Sequence, residues 1–170
     1  MKRTLPLLLL SLSFQSFADS YYVGVDYMLT DIELSSENAK PKASKLRVGV
    51  SNNNMAFEAQ YLTSNNSDNI HRIEFDIEQS AAFYFVMQSG VVDGFGLDVS
   101  LGYAVTDMVF SGPEETINGK DQYKGFSWEI AIHQQIPYLQ QAQVRLSYQS
   151  LYKDSDLEIT GISLGFTYQF

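Results

Sequence analysis

Gly161-Ile162-Ser163-Leu164-Gly165-Phe166-Thr167-Tyr168-Gln169-Phe170 closes the chain, and its alternation decides the fold. Ile162, Leu164, Phe166, Tyr168 and Phe170 fall on every second residue, and Gly161, Ser163, Gly165, Thr167 and Gln169 fill the gaps. A period of two sends successive side chains to opposite faces of a strand. One face is therefore large and apolar, and the other is small or polar.

The same period runs back through the chain, which reads as eight strands with no convincing helix, linker or repeat. The first spans Tyr21 to Thr30, with Tyr21, Val23, Val25, Tyr27 and Leu29 opposite Tyr22, Gly24, Asp26, Met28 and Thr30. Lys45 to Ser51 and Met55 to Thr63 follow, separated by a tight Asn52-Asn53-Asn54 turn of the kind asparagine favours. Arg72 to Gln88 is the fourth, with Ile73, Phe75, Ile77, Ala81, Phe83, Phe85 and Met87 on one face and Arg72, Glu74, Asp76, Glu78, Ser80 and Tyr84 on the other. Gln79 breaks its apolar file, so it either sits near a rim or marks a bulge that shifts the register. Phe95 to Phe110, Tyr123 to Ile136 and Gln143 to Lys153 complete the set before the terminal strand, and Pro137 ends the sixth because it cannot donate to a ladder. Tyr152 is expected on the apolar face with Val144, Leu146 and Tyr148.

An even number of strands lets both termini share one side and lets the sheet close. Closure satisfies every backbone group, as a lipid environment demands. Connections on one side are short, at Asn52–Asn54, Ser89–Gly94 and Pro137–Ala142. The other side carries longer polar ones, Asp31 to Ser44 and Ser111 to Gln122. Short turns at one end and longer loops at the other are the layout of a transmembrane barrel. The expected fold is all-β: an eight-stranded antiparallel up-and-down transmembrane β-barrel.

The N-terminus fits export. Lys2 and Arg3 precede an apolar stretch from Leu5 to Leu12, and Ser16-Phe17-Ala18 supplies small residues for cleavage. That is a signal peptide, residues 1–18, too short to span a bilayer as a helix. Residues 19–170 then form the barrel domain. Composition agrees. The 170 residues hold no cysteine, so disulfides, thiolate metal sites and cysteine nucleophiles are excluded. With 20 acidic against 11 basic residues, the net charge of −9 argues against nucleic acid. Tyrosine and phenylalanine contribute 11 each, which suits a barrel whose lipid-facing and lumen-facing residues average to near-neutral hydropathy.

The whole mature chain resembles the small eight-stranded outer-membrane barrels of the OmpX/Ail type and the membrane domain of OmpA. Phe95-Gly96-Leu97-Asp98-Val99-Ser100-Leu101-Gly102-Tyr103-Ala104 and the terminal Gly161–Phe170 carry most of the likeness. The resemblance implies the outer membrane of a Gram-negative bacterium, reached through the periplasm. Its partners would be outer-membrane lipids and lipopolysaccharide, the barrel-assembly machinery and periplasmic chaperones. It also implies that Phe166, Tyr168 and Phe170 form the assembly signal. The chain stops at Phe170, so the periplasmic domain of full-length OmpA is not expected. A soluble barrel of lipocalin type would instead hide its apolar groups inside, and the aromatic faces and terminal Phe170 argue against it.

The lumen-facing series is strongly charged: Asp26, Arg47, Glu58, Arg72, Glu74, Asp76, Glu78, Asp98, Glu129, His133 and Arg145. An eight-stranded barrel is just wide enough for side chains to fill. These charges must pair, because an unpaired buried ion costs several kcal/mol. A structural network of Arg47, Glu58, Asp76, Glu129 and Arg145 is expected, with Arg47–Glu58 and Arg145–Glu129 as neighbouring-strand pairs. The alternative is a narrow gated ion path in which the arginines swap carboxylates.

Enzyme readings find little support. Lipid A deacylases of similar size place a serine two residues from a histidine, but His133 is followed by Gln134 and Gln135, and His71 by Arg72 and Ile73. His71 with Ser67 and Asp68 is the only triad candidate for a palmitoyl-transferring barrel. No catalytic residue, metal ligand or cofactor is expected. The loops carry Asp31, Glu33, Glu37, Asp68, Glu114, Glu115, Asp121, Asp154 and Asp156. They suit surface contacts with a ligand the sequence does not name.

Overall fold

The computed structural model describes residues 20–34, 37–66, 68–70, 73–111 and 119–170. The expected signal peptide lies outside them, as do Ser67, His71, Arg72, Glu114 and Glu115. The strands are β1 (Ser20–Leu34), β2 (Glu37–Ala39), β3 (Lys42–Asn52), β4 (Met55–Asn66), β5 (Asp68–Ile70), β6 (Ile73–Gln88), β7 (Phe95–Ser111), β8 (Gly119–Ile136), β9 (Leu139–Lys153) and β10 (Leu157–Gln169). Eight of them form a ring in the order β1-β3-β4-β6-β7-β8-β9-β10, each antiparallel to the one before. The ring closes where β10 returns to β1, from Tyr22 opposite Gln169 to Leu34 opposite Leu157. The short β2 and β5 are side branches on β1 and β6. The molecule is a closed eight-stranded antiparallel barrel.

One end carries both barrel termini and three tight turns. Asn53 has φ of 52°, Asp93 and Gly94 have φ of 52° and 85°, and Tyr138 has φ of 69°. Two consecutive positive φ angles at Asp93-Gly94 make the turn whose twist matches that of antiparallel strands. Val92 and Phe95 exchange both backbone hydrogen bonds across it, at 2.8 and 2.9 Å. We call this the turn end. The opposite, loop end carries β2, β5 and the connection through Asp154–Asp156.

The alternation is inverted relative to a water-soluble sheet. Large apolar side chains such as Leu164 (60 % exposed), Phe126 and Tyr103 face outward, while Glu129 and Ser127 are wholly buried inside. Water would not tolerate that outer face, and lipid would. The interior has two zones. Its middle and turn-end part is ionic and polar. Toward the loop end it becomes apolar, with Met28, Ile32, Leu62, Ile77, Met108 and Ile159 all buried.

Glycines make room for this filling. A methyl carbon on Gly24 would stand 2.5 Å from the Arg47 guanidinium. Added carbons on Gly165 and Gly96 would collide with the Asp26 carboxylate and the His133 ring. Long lumen side chains thus lie flat across a neighbouring strand where that strand has no side chain.

Several expectations need correction. Strand β6 contains the bulge that Gln79 hinted at: Ile77 pairs with Met108 and Gln79 with Asp107, leaving Glu78 unmatched. The slip reverses the faces beyond it. Ile77, expected outside, is buried in the lumen, while Asp76 and Glu78, expected inside, are half-buried and exposed. A second irregularity, at Ile159/Thr160 opposite Ser150 and Tyr152, turns Tyr152 inward. Its ring meets that of Tyr123 at 5.4 Å. The first long loop is largely strand, since β1 continues to Leu34 and β3 begins at Lys42. The Pro137–Ala142 connection shrinks to a two-residue turn, with Ile136 paired to Leu139.

Candidate functional site

The inward files of β1, β3, β4, β7, β8 and β9 meet in one ion cluster. Arg47 on β3 is its hub. Its Nε and Nη2 donate to Asp26 Oδ2 and Oδ1 at 2.7 and 2.9 Å, a two-pronged pair across adjacent strands. Nη1 donates to Glu58 Oε2 at 3.2 Å, and Nη2 also donates to Thr167 Oγ1 at 2.8 Å. On the far wall, Arg145 Nη1 stands 2.5 Å from Glu129 Oε1, an ion contact without the alignment of a hydrogen bond. Arg145 Nε lies 3.5 Å from Asp98 Oδ2, and His133 Nδ1 lies 3.3 Å from the same oxygen.

Lys45 joins the two halves. Its Nζ donates to Glu129 Oε2 at 2.6 Å and Gln149 Oε1 at 3.2 Å, and sits 3.3 Å from Asp26 Oδ2. Polar neighbours extend the net toward the loop end. Gln149 Nε2 donates to Gln60 Oε1 and to the Tyr84 hydroxyl, each at 2.7 Å, and Gln60 Nε2 donates to Glu58 Oε1 at 2.7 Å. Tyr84 shares a 2.5 Å hydrogen bond with Ser127. Bonds of this kind let buried charges persist, because each ion would otherwise cost several kcal/mol of lost hydration.

Of the five expected network residues, the structure brings together Arg47 with Glu58 and Arg145 with Glu129. Asp76 stands apart, carried to the other face by the β6 bulge. Asp26, Lys45 and Asp98 belong to the cluster and were not among the five. Lys45 was legible as inward-facing, two residues from Arg47 on one strand. Its reach to the opposite wall was not. His133, weighed as a catalytic base, is instead buried against Asp98 over Gly96.

Below the cluster a polar vestibule of about 480 Å³ opens at the turn end. Arg47, Glu58, Asp98, His133 and Arg145 reach its inner part, Tyr22 lines its wall, and Ser51, Gln143 and Gln169 are near its mouth. The arrangement can bind water or small polar solutes from one side. Beyond it, toward the loop end, lie the interlocked ions and then the apolar zone.

Comparison with known proteins agrees with this architecture. The family model described as "Outer membrane protein beta-barrel domain" matches residues 4–170. No curated protein sequence matches the chain. Among solved structures, the chain is similar to Ail, the attachment invasion locus protein of Yersinia pestis, crystallised with the heparin analogue sucrose octasulfate. The TM-score is 0.68 at 12 % identity, covering 91 % of this chain and 100 % of that one. Neisserial surface protein A also gives a TM-score of 0.68 at 12 % identity, covering 88 % and 97 %. The N-terminal barrel domain of OprF from Pseudomonas aeruginosa gives 0.58 at 11 %, covering 86 % and 97 %. At such identities the likeness is one of fold.

Proposed function

The chain belongs to the outer membrane protein beta-barrel domain family, and on that premise we propose that it is a non-enzymatic envelope scaffold with a sealed, load-spreading lumen and a loop-end rim for surface contacts. The carrying observation is the double seal. Lys45, Arg47 and Arg145 are each held between carboxylates from different strands. An apolar layer of Met28, Ile32, Leu62, Ile77, Met108 and Ile159 then closes the path toward the loop end. An ion would have to break buried pairs and afterwards shed its hydration shell, and dewetted apolar constrictions are themselves gates. This supports a brace over the gated pore.

Export by a signal peptide at residues 1–18, escort by periplasmic chaperones and insertion by the barrel-assembly machinery belong to the same reading. The turn end then faces the periplasm and the loop end faces outward. Strand length supports a raised outer rim. Strands β6, β7 and β8 have 16, 17 and 18 residues, whereas about 9–11 cross a bilayer. The rim carries Asp31, Asp121, Asp154, Asp156 and Glu158, and the chain's net charge is −9.

Two measurements test the reading. In planar bilayers the purified protein should give no large, stable currents, and an ion-selective conductance would overturn the sealed lumen. Because the chain has no cysteine, single-cysteine variants report orientation cleanly. D156C should react with an impermeant maleimide on intact cells and N53C only after permeabilisation. The reverse pattern would overturn the orientation.

A further inference from the structure

Inside the barrel the ions do not balance. The buried cluster sets four carboxylates, Asp26, Glu58, Asp98 and Glu129, against three permanent cations, Lys45, Arg47 and Arg145. With histidine counted neutral, as in the chain's formal charge, one negative charge is left over. The distances place it at Asp98. A cation stands 2.7 Å from Asp26, 3.2 Å from Glu58 and 2.5 Å from Glu129. Among the described residues Asp98 has Arg145 Nε alone, at 3.5 Å, and that guanidinium is closer to Glu129. The contacts of Asp98 with Arg145 and His133 both use Oδ2. Its Oδ1 is buried without a hydrogen-bond partner.

The turn-end cavity borders this same residue. Asp98 is 6 % exposed and lines the vestibule of about 480 Å³, a volume within the roughly 300–1,000 Å³ of small-molecule sites. Gln88 on β6 lies directly opposite Asp98. Gln135 and Gln143 face each other across β8 and β9, one inward step nearer the turn end than His133 and Arg145. All three glutamines line the same space. Among the described residues no group of three or more histidine, cysteine or acidic side chains is arranged to hold a metal ion. A surplus of one calls for a single positive charge, and a bare ion would leave the amides and most of the volume unused.

We propose that the vestibule binds a small organic monocation, a primary ammonium that also carries a hydrogen-bonding group. The ammonium donates to Asp98 Oδ1 and supplies the missing charge, and the polar remainder meets the Gln88, Gln135 and Gln143 amides. An unbalanced buried ion is costly, so the bound cation completes the cluster. Entry is from the turn end, and occupancy needs no path through the lumen. That the ligand comes from the periplasm rests on the orientation proposed above; binding to the purified protein does not.

In the test, the purified protein in nonionic detergent micelles is titrated with 2-aminoethanol hydrochloride, and NMR follows the amides of Gln88, Gly96 and Asp98. Saturable shifts are expected. Choline keeps the charge and the hydroxyl but has no N–H donor, and it should bind about tenfold more weakly, the worth of one hydrogen bond to a charged group. Asp98→Asn balances the cluster. It should lose the binding yet keep the wild-type melting temperature, which loss of a merely structural carboxylate would lower. His133→Lys supplies a fourth permanent cation from within and should also abolish binding. Asp107→Asn removes a carboxylate at the loop end, where Gln79, Gln122 and Lys120 hold it, and should bind as wild type. Heat-dependent gel migration verifies that each barrel is folded. Equal binding by folded Asp98→Asn and wild type, or shifts that potassium chloride reproduces, would overturn the site. Conductance and orientation are measured separately, so the sealed-lumen reading and this site can fail independently.

Discussion

Lys45 Nζ lies 2.6 Å from Glu129 Oε2, and the two residues come from strands β3 and β8, which stand four steps apart in either direction around the ring. They are on opposite walls. Neighbouring-strand pairs such as Arg47–Asp26 add to ladders that backbone hydrogen bonds already hold. The Lys45–Glu129 bond instead ties the barrel across its diameter, so it resists flattening. Lys45→Met should leave Glu129 and Asp26 short of a cation and destabilise the barrel by about 3–5 kcal/mol. Urea unfolding in lipid vesicles measures this. The double variant K45M/E129Q removes both charges and should lose less than the sum of its parts. Wild-type stability for Lys45→Met would show that water, rather than the strut, carries these charges.

The glycine cradles make a sharper steric forecast. Gly24→Ala puts a methyl group 2.5 Å from the Arg47 guanidinium, which also holds Asp26, Glu58 and Thr167. The hub must move, and overpacking of this kind costs about 1–3 kcal/mol. Gly90→Ala meets nothing within 4 Å and should be neutral. Equal unfolding midpoints for the two variants would refute the flat-lying arrangement of the lumen side chains.

What the sequence reveals and what it hides divide along a physical line. Alternation reports which face each residue takes, because a strand has a fixed period. Eight strands, a polar lumen and the Arg47–Glu58 and Arg145–Glu129 pairs follow from it. A bulge adds one residue without changing composition, so Asp76 and Ile77 exchanged faces, with only the misplaced Gln79 as a sign. Tyr152 was misplaced by a similar slip. The Lys45–Glu129 strut depends on the relative height of strands that never touch. That is a sum of registers around the ring, and no local pattern encodes it.

Acidification should loosen the loop-end turn between β9 and β10 through Asp154. Its Oδ1 accepts the backbone N–H groups of Asp156 and Leu157 at 2.8 and 3.0 Å, and its Oδ2 accepts the Tyr152 hydroxyl at 2.8 Å. The Asp156 N–H first, then the Tyr152 hydroxyl and the Leu157 N–H, hold this carboxyl below the usual carboxylate range. A depressed folded pKa means that the contribution is present above the unfolded value and is lost as pH falls through the folded one. Amide exchange at Asp156 and Leu157 should therefore speed up below about pH 4, the ordinary carboxylate value, beyond the intrinsic change in exchange rate. In Asp154→Ala the amides should be fast at every pH. Protection that persists equally in Asp154→Ala would remove the carboxylate from the account.

Deletion of Phe170 is expected to separate barrel stability from barrel assembly. Its backbone N–H donates to Tyr21 O at 2.7 Å, the last bond of the β1–β10 seam. Its ring meets Tyr168 edge-on at 5.2 Å and is otherwise 68 % exposed. Deleting it removes one hydrogen bond at the end of a seam that already runs from Tyr22 opposite Gln169 to Leu34 opposite Leu157. A net loss of about 1 kcal/mol is expected from that bond, so the purified truncated chain should fold in vesicles nearly as well as the wild type. In cells the outcome should differ if Phe166, Tyr168 and Phe170, which share one outward file, form the assembly signal expected from the resemblance. Surface levels of the truncated protein at native dose should drop and periplasmic degradation should rise. Normal surface levels with unchanged refolding would show that Phe170 is no part of the assembly signal, whereas poor refolding in vesicles would assign its role to the seam itself.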